Sequence, residues 1–593
     1  MASRLLGPPE LRDSKPLLQK PITASGPRNP FIDLMVENFN YSIKLKDPSS
    51  PQKGLTENGA GTYLSAGNPC LDFFFHVVPS TPKKSLEERL QLAWDHDPLT
   101  TLKLICNLRG VRGTGKSDKE GFYTAALWLH GSHPKTLACN LESLSKFGYF
   151  KDFAEILYRI LKGSKIRDTQ KSERMQGKSC RGRGRRVHGS RKRKMAATRE
   201  LRVATAEMKN QADKAIASIN RKLEKISMGK EAFTRYSHDA EYRFLHERVS
   251  DLFSDLLRRD VEFLTSGETN KISLAAKWRR GSLTTLQLPE VYMGAKAWGS
   301  LPYNRVASVA MKSYKEIFLS HDEERFKKYL EDAKSGKTKI AAGALLPHEI
   351  IGDLEGGDGG QVAELQWKRM VDDMRTKGWL TNCIAISDVS GSMEGTPMEV
   401  SVALGLVVSE LAEEPWRGKL ITFSGTPELH LVEGDDLRSK TQFVRDMDWG
   451  ANTDFQKVFD LILKVAVEGT LKPEEMIRRV FVFSDMEFDE ASSSSHSRYN
   501  RSETSSWETN YQVIVSKYKE KGYGGVVPEI VFWNLRDSKS TPVARSDKGV
   551  ALVSGFSKNL IKMFLDNDGD IDPMTIMHAV ISGPEYNELV VID

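Results

Sequence analysis

The sequence predicts a multidomain fold: an α-helical array of HEAT-like pairs, then a doubly wound α/β domain. Three observations carry this expectation. Between residues 55 and 162 apolar residues recur at helical spacing in short segments, most of them opened by Asp, Ser or Pro and several closed by Gly. From residue 379 to 593 short apolar runs alternate with amphipathic helical stretches, the order of a parallel sheet wrapped by helices. Inside the helical part, residues 163–198 hold a basic tract, G-K-S-C-R-G-R-G-R-R-V-H-G-S-R-K-R-K, with no apolar face to bury.

Taken in order, residues 1–54 are rich in Pro, Ser and Lys and are expected to form a mostly disordered tail. Helical periodicity begins at Leu55. Ser85-x-x-Glu88 reads as a capping box ahead of Leu86, Leu90 and Trp94. Asp97-Pro98 reads as an N-cap followed by Pro in the first turn, opening a helix with Leu102, Ile105 and Cys106 on one side. Ser117-x-x-Glu120 is a second capping box, and Pro134 opens a helix that stops near Gly148. A further helix carries Phe153, Ile156, Leu157 and Ile160 and ends at Gly163. Short helices joined by short turns stack as pairs, so residues 55–162 form the first part of the array. Residues 163–198 are a basic disordered insert, and residues 199–355 form the second part. There Met208, Ala212, Ala215, Ile219, Leu223 and Ile226 make one apolar stripe on a long helix, and the expected role of such a stripe is core packing. In the α/β domain, strands are expected around Ile384, at 420–423 and 428–432, around Val480, at 528–533 and at 549–553. Helices are expected at 397–413, from 442, at 455–467 and at 507–523, and the polar stretch 492–506 reads as a loop.

The net charge of +7 hides a local excess. Residues 161–200 hold 15 Lys/Arg against 3 Asp/Glu, which is +12 and leaves −5 for the rest of the chain. Basicity this local implies a local partner or signal. Arg181, Arg183, Arg185 and Arg186 suit a nucleic-acid backbone, and Arg191, Lys192, Arg193 and Lys194 suit a nuclear import signal. A solvated linker is the plainer alternative. No apolar run approaches a membrane span, and Gly7, Pro8, Pro9, Glu10 and Arg12 do not suit a secretory signal. The five cysteines are scattered without metal spacing, which points to a reducing compartment, cytoplasmic or nuclear, without disulfides.

The most informative stretch is N-C-I-A-I-S-D-V-S-G-S-M, residues 382–393. A short apolar run ends in Asp388, and Ser390 and Ser392 follow at alternate positions around Gly391. Such a strand end lifts one carboxylate and two hydroxyls to the carboxyl edge of a sheet, where open α/β sheets bind ligands. Oxygen donors alone suit a hard cation, Mg2+ or Mn2+. An Asp/Ser/Gly turn without a ligand is the bland alternative. A second loop is tempting for a different reason: Gly110-Val-Arg-Gly-Thr-Gly115-Lys116-Ser117 matches G-x-x-x-x-G-K-S in full. A phosphate-cradling loop needs a strand before it, and residues 98–108 read as a helix, so an inter-helix turn is preferred. Arg109, Arg112 and Lys116 there are candidates for contacting RNA phosphates.

Two later stretches extend the first. W-G-A-N-T-D-F, residues 449–455, places Thr453 in a turn before a helix, and R-V-F-V-F-S-D, residues 479–485, ends a second buried run in Asp485. Asp-x-Ser-x-Ser, then a Thr, then an Asp after a strand resembles the metal-ion-dependent adhesion site (MIDAS) of von Willebrand factor A domains. The resemblance implies that Asp388, Ser390, Ser392, Thr453 and Asp485 surround Mg2+ or Mn2+. The helical part resembles the TROVE module of Ro autoantigen-type RNA-binding proteins. It also resembles an uncharacterised plant family that joins a divergent TROVE-like region to such a domain. L-T-E-N-G-A-G-T-Y (55–63), G-N-P-C-L-D-F-F-F (67–75), L-I-C-N-L-R-G-V-R-G-T-G-K-S-D-K-E-G-F-Y (104–123) and K-I-A-A-G-A-L-L-P-H-E-I (339–350) carry this likeness. The resemblance implies a non-enzymatic RNA-binding or ribonucleoprotein scaffold with a metal-dependent interaction domain. The alternative is a protein-interaction scaffold that binds an acidic partner residue through the metal, without RNA. An NTPase is a weaker third, and no Ser/His/Asp set or zinc spacing points to another enzyme.

Overall fold

The computed structural model describes residues 51–172, 197–268, 271–272, 289–422, 427–447, 454–489, 508–565 and 571–593. Residues 51–593 form one compact unit. Residues 1–50 of the expected tail, residues 173–196 of the expected basic insert with its import candidate, the 492–506 loop and Thr453 lie outside the described residues. At the edges of those two segments the expectation of disorder fails, since Lys53 and Gly54 lie in a strand and residues 166–172 and 197–198 are helical.

The described chain opens with a hairpin where helical periodicity was expected. Strands β1 (Lys53–Leu55) and β2 (Gly61–Tyr63) pair antiparallel. The dipeptide Asn58-Gly59, with Gly59 at φ 86°, supplies the left-handed residue such turns require.

Among the described residues, the helices that follow through residue 265 include α1 (Pro69–His76), α2 (Lys83–His96), α3 (Pro98–Arg109), α4 (Lys119–Ser132), α5 (Pro134–Cys139), α6 (Leu141–Phe147), α7 (Lys151–Lys162), α8 (Ala197–His238) and α9 (Ala240–Thr265). Asp97 caps α3 as the Asp-Pro pair implies, its side chain accepting from the Thr100 N–H. The two expected capping boxes are displaced. Helix α2 starts before Ser85, with Pro82 at its N-cap, and α4 is capped by Asp118, one residue after Ser117. Each helix packs on its neighbours, α2 on α1, α3 and α4, and α9 on α5, α6, α7 and α8.

The stripe on α8 is the largest departure from expectation. Ile219, Leu223 and Ile226 are more than half exposed, as are Ile216 and Phe233. Periodicity shows that a helix has one apolar face; it does not show that anything covers that face.

Short helix α10 (Pro289–Gly294) and helices α11 (Ser308–His321), α12 (Glu323–Lys334), α13 (Pro347–Ile351) and α14 (Gln361–Arg375) complete the helical part. Leu301, Tyr303, Phe318, Phe326 and Val362 form a small core of their own there.

The last part is a six-stranded mixed sheet built from β3 (Cys383–Ser387), β4 (Lys419–Thr422), β5 (Leu429–Leu431), β6 (Arg479–Ser484), β7 (Glu529–Asn534) and β8 (Val550–Ser554). Helices α15 (Thr396–Leu411), α16 (Leu437–Asp446), α17 (Phe455–Gly469), α18 (Asn510–Glu520) and α19 (Pro573–Val580) alternate with the strands. The spatial order is β5-β4-β3-β6-β7-β8, with only β5 antiparallel. Strands β3, β6 and β8 are buried along their whole length, as expected of a parallel sheet covered on both faces. Helix α15 lies so close to β3 that a Cβ on Gly405 would sit 2.1 Å from the Ser387 Oγ. One hydrophobic core runs without interruption from Ala66 and Phe73 in the helical part to Trp533, Leu552 and Tyr586. The helices are therefore packed onto the sheet through shared apolar side chains, with α1 against β8 and α19.

Candidate metal centre

Chain order reverses direction across the sheet at β3. The connection after β3 leads to β4 on one side, while β6 pairs on the other. The crevice between the carboxyl ends of β3 and β6 is the topological switch point, where α/β sheets bind ligands. Asp388 and Asp485 each follow one of these two strands. The parallel register sets Ser387 beside Phe483, and the Asp388 N–H donates to the Phe483 carbonyl at 3.0 Å. The two carboxylates therefore leave the sheet side by side.

Both side chains are buried. Asp388 Oδ2 accepts from the Ser484 Oγ at 2.7 Å, and Oδ1 accepts from the Ser390 N–H at 3.0 Å. Burial, and then the neighbouring Asp485 carboxylate, push the Asp388 carboxyl up to about 6. Asp485 Oδ1 accepts from the Glu487 N–H at 3.1 Å. The turn that makes this contact holds Met486 at φ 67°, a conformation that costs a side-chain-bearing residue on the order of 1 kcal/mol or more. Above the carboxylates lie the hydroxyls of Ser390 and Ser392, 3.0 Å apart, with Ser392 exposed to solvent. Arg536, just past β7, donates from Nη1 to Asp485 Oδ2 at 3.4 Å and to the Ser392 carbonyl at 3.1 Å.

Four of the five expected ligands are thus described, and the fold brings Asp388, Ser390, Ser392 and Asp485 to one sheet edge. Among the described residues no group of three or more His, Cys, Asp and Glu side chains makes a metal set. Any cation here would depend on the hydroxyls as well as the two carboxylates. The donor chemistry fits a hard divalent ion. Burial, and then the Asp485 carboxylate beside it, raise the cost of ionising Asp388, and a cation at this edge would reverse that.

Sequence reasoning missed the residues that wall the centre. The β1–β2 hairpin clasps the segment after Asp485: Thr56 Oγ1 donates to the Phe488 carbonyl at 2.7 Å, and the Glu57 N–H donates to Glu487 Oε2 at 2.8 Å. Asn58 Nδ2 donates to the Glu487 carbonyl at 2.6 Å. Asn-Gly flanked by Thr and Tyr was the available signal for this hairpin. Arg536 carried no signal, because it belongs to no motif.

The Gly110–Ser117 loop is spent on the fold. The Lys116 ammonium is fully buried, donating to the Phe74 and Val77 carbonyls and to the Ser554 Oγ at 2.7 Å. Burial pulls it down to about 7. The N–H groups of Gly115, Lys116 and Ser117 donate to the carbonyls of Arg112, Asn107 and Gly110. The glycines permit chain-to-chain contact, since a Cβ on Gly115 would lie 2.1 Å from the Gly110 carbonyl oxygen. Arg109 is buried too, with Nε 2.7 Å from Asp152 Oδ2. Burial corrects the expectation that Arg109 and Lys116 face RNA; Arg112 alone of the three is exposed.

A groove of about 1000 Å³ lies between α7, the start of α4 and α8. Seven Lys and Arg residues line it against three Glu, and Tyr158 contributes an aromatic ring. Arg159 and Arg167 are tied to Glu155 at its base, while Lys151, Arg221 and Lys225 are exposed.

No described helix is long and apolar enough to cross a membrane. Among known proteins, the chain is 28% identical over 544 residues to an uncharacterized protein of Acanthamoeba polyphaga mimivirus, covering 89% of this chain and 86% of that one. It overlaps the crystal structure of the Deinococcus radiodurans RO (RSR) protein with a TM-score of 0.31 and 15% identity, over 58% of this chain and 68% of that one. A superposition at that score does not establish a shared fold. A domain of unknown function, DUF7788, matches residues 382–584, which span all six strands of the sheet. A second domain of unknown function, DUF2828, matches residues 56–281 and 283–380, more than half of the chain. The chain belongs to the DUF2828 family.

Proposed function

We propose that this chain is a non-enzymatic interaction scaffold whose sheet edge takes Mg2+ or Mn2+ and presents it to an acidic group of a protein partner. The observation that carries the reading is the pair of buried carboxylates, Asp388 and Asp485, set at the switch point beneath the Ser390 and Ser392 hydroxyls. A von Willebrand factor A-like domain is the architecture this reading implies. Thr453, the fifth ligand that the resemblance implies, lies outside the described residues. A divalent ion bound by this few carboxylates keeps open positions, and a carboxylate from outside completes them. Titration of the full chain with Mn2+, following free ion by electron paramagnetic resonance, tests it. One site is expected, competed by Mg2+ and lost in Ser390→Ala/Ser392→Ala; an unaltered free-ion signal contradicts it.

RNA binding is a second reading, favoured by the cationic groove between α7 and α8. Lys151, Arg221 and Lys225 would face phosphates there, and the basic residues of the 163–198 insert would add to them. Each phosphate contact on a single strand contributes about −0.7 to the slope of log K against log salt. Lys151→Glu with Lys225→Glu should weaken binding for all sequences and flatten that slope. Equal slopes for the wild-type and altered chains would remove the groove from this reading.

A further inference from the structure

A cationic side chain of the chain itself, Arg536, reaches this centre. Arg536 Nη1 is shared between Asp485 Oδ2, at 3.4 Å, and the carbonyl of Ser392, at 3.1 Å. It therefore bridges the two halves of the centre: the carboxylate that follows β6 and the hydroxyl-bearing loop that follows β3. The backbone beneath it is fixed. The Leu535 N–H donates to the Ser484 carbonyl at 3.0 Å, and the Arg536 N–H to Asn534 Oδ1 at 3.1 Å. Asn534 is in turn held by the Phe75 carbonyl of α1, at 3.1 Å from its Nδ2. The guanidinium is another matter, for its side chain is 45% exposed while that of Asp485 is 3% exposed. A buried anion thus has its cation on a solvent-facing arm that can swing away without moving the backbone.

We propose that the Arg536 guanidinium is the centre's stand-in cation, held against Asp485 and the Ser392 carbonyl until a divalent ion displaces it. The proposal rests on the metal reading above. Its physical basis is the imbalance between the two competitors. A long contact from one shared nitrogen on a half-exposed side chain is a weak ion pair. A divalent ion brings twice the charge and no side-chain entropy. Arg536 therefore tunes the affinity of the centre without closing it. Displacement also releases the Ser392 carbonyl, and with it a tether on the loop that carries both hydroxyls. The freed guanidinium remains at the rim, next to the position where a partner's carboxylate would approach the ion.

The test compares wild type, Arg536→Gln, Arg536→Lys and Asp388→Asn as full chains. Mn2+ affinity is measured by calorimetry, and amide hydrogen exchange is followed over residues 389–393. Weak exposed pairs imply a modest gain, so Arg536→Gln should bind Mn2+ about three- to fivefold tighter than wild type. Arg536→Lys, which keeps a competing charge, should stay within about twofold of wild type. Without metal, Arg536→Gln should exchange faster than wild type over the loop, and with Mn2+ the two should coincide. Equal affinities and equal exchange in wild type and Arg536→Gln, with Asp388→Asn silent, would reduce Arg536 to a surface residue and leave the metal reading intact. Silence from all four chains would overturn both.

Discussion

The loops at Gly110–Ser117 and Asp388–Met393 both carry ligand-binding signatures, and the fold treats them in opposite ways. In the first, the lysine and the backbone N–H groups of Gly115, Lys116 and Ser117 bond to protein, and the glycines bring two stretches of chain into contact. In the second, two acids are buried close enough to raise the cost of ionising Asp388, and a half-exposed arginine is the cation that reaches Asp485. The difference is one of electrostatic surplus. A loop whose polar groups are satisfied internally has nothing left for a ligand, while buried like charges without full compensation favour an outside cation. Truncating Lys116, which strips carbonyls of a donor and leaves a cavity, and neutralising Asp388 in an isosteric amide should therefore have opposite signs.

The largest effect belongs to Lys116→Ala. It leaves a cavity and leaves the Phe74 and Val77 carbonyls with the Ser554 hydroxyl but without that donor, so we expect a loss of about 2–5 kcal/mol in denaturant unfolding above neutral pH, where the folded lysine is uncharged. Unchanged stability coupled to a loss of ATP binding would reverse the assignment of this loop. Next is the pH dependence of the same residue. Folding lowers the Lys116 pKa from 10.5 to about 7, so the unfolded chain binds more protons between those values and stability rises with pH across that window. The rise is on the order of 4 kcal/mol over the full window. Lys116→Met should remove it, which isolates it from Lys558 and Lys562, whose pKa values burial also lowers, to about 8. A wild-type curve parallel to that of Lys116→Met would mean that the ammonium is not desolvated.

Asp388→Asn should have the other sign. Because burial and Asp485 disfavour its charge, the metal-free variant should be as stable as wild type or about 1–3 kcal/mol more stable at neutral pH. A large destabilisation would make Asp388 a structural residue. The smallest effect is expected on α8. Leu223→Glu lies on an exposed face, so unfolding should shift by no more than about 0.5 kcal/mol. A loss of several kcal/mol would restore the core role that the stripe's periodicity implied.

Much of the sheet was legible, because fully buried strands read as short apolar runs and Asp388 and Asp485 each terminate one. Their shared edge followed from doubly wound order. The helix starts were less so: Asp97 was found, while Ser85 and Ser117 mimicked caps that Pro82 and Asp118 occupy. Charge pattern failed at Arg109 and Lys116, since their partners, Asp152 and Ser554, lie 43 and 438 residues away and no local signal announces them. The hairpin over Glu487 and the Arg536 contact are likewise products of tertiary structure. The α8 stripe shows the limit of periodicity itself, which reports a face and not its neighbour.

Calorimetric titration of the full chain with Mg2+, run alongside Asp388→Asn, tests the central claim most directly. The account predicts one site in the wild-type chain, and no binding by a variant whose unfolding transition is intact. A wild-type chain that takes up no divalent ion, or an Asp388→Asn chain that binds it equally well, would contradict it.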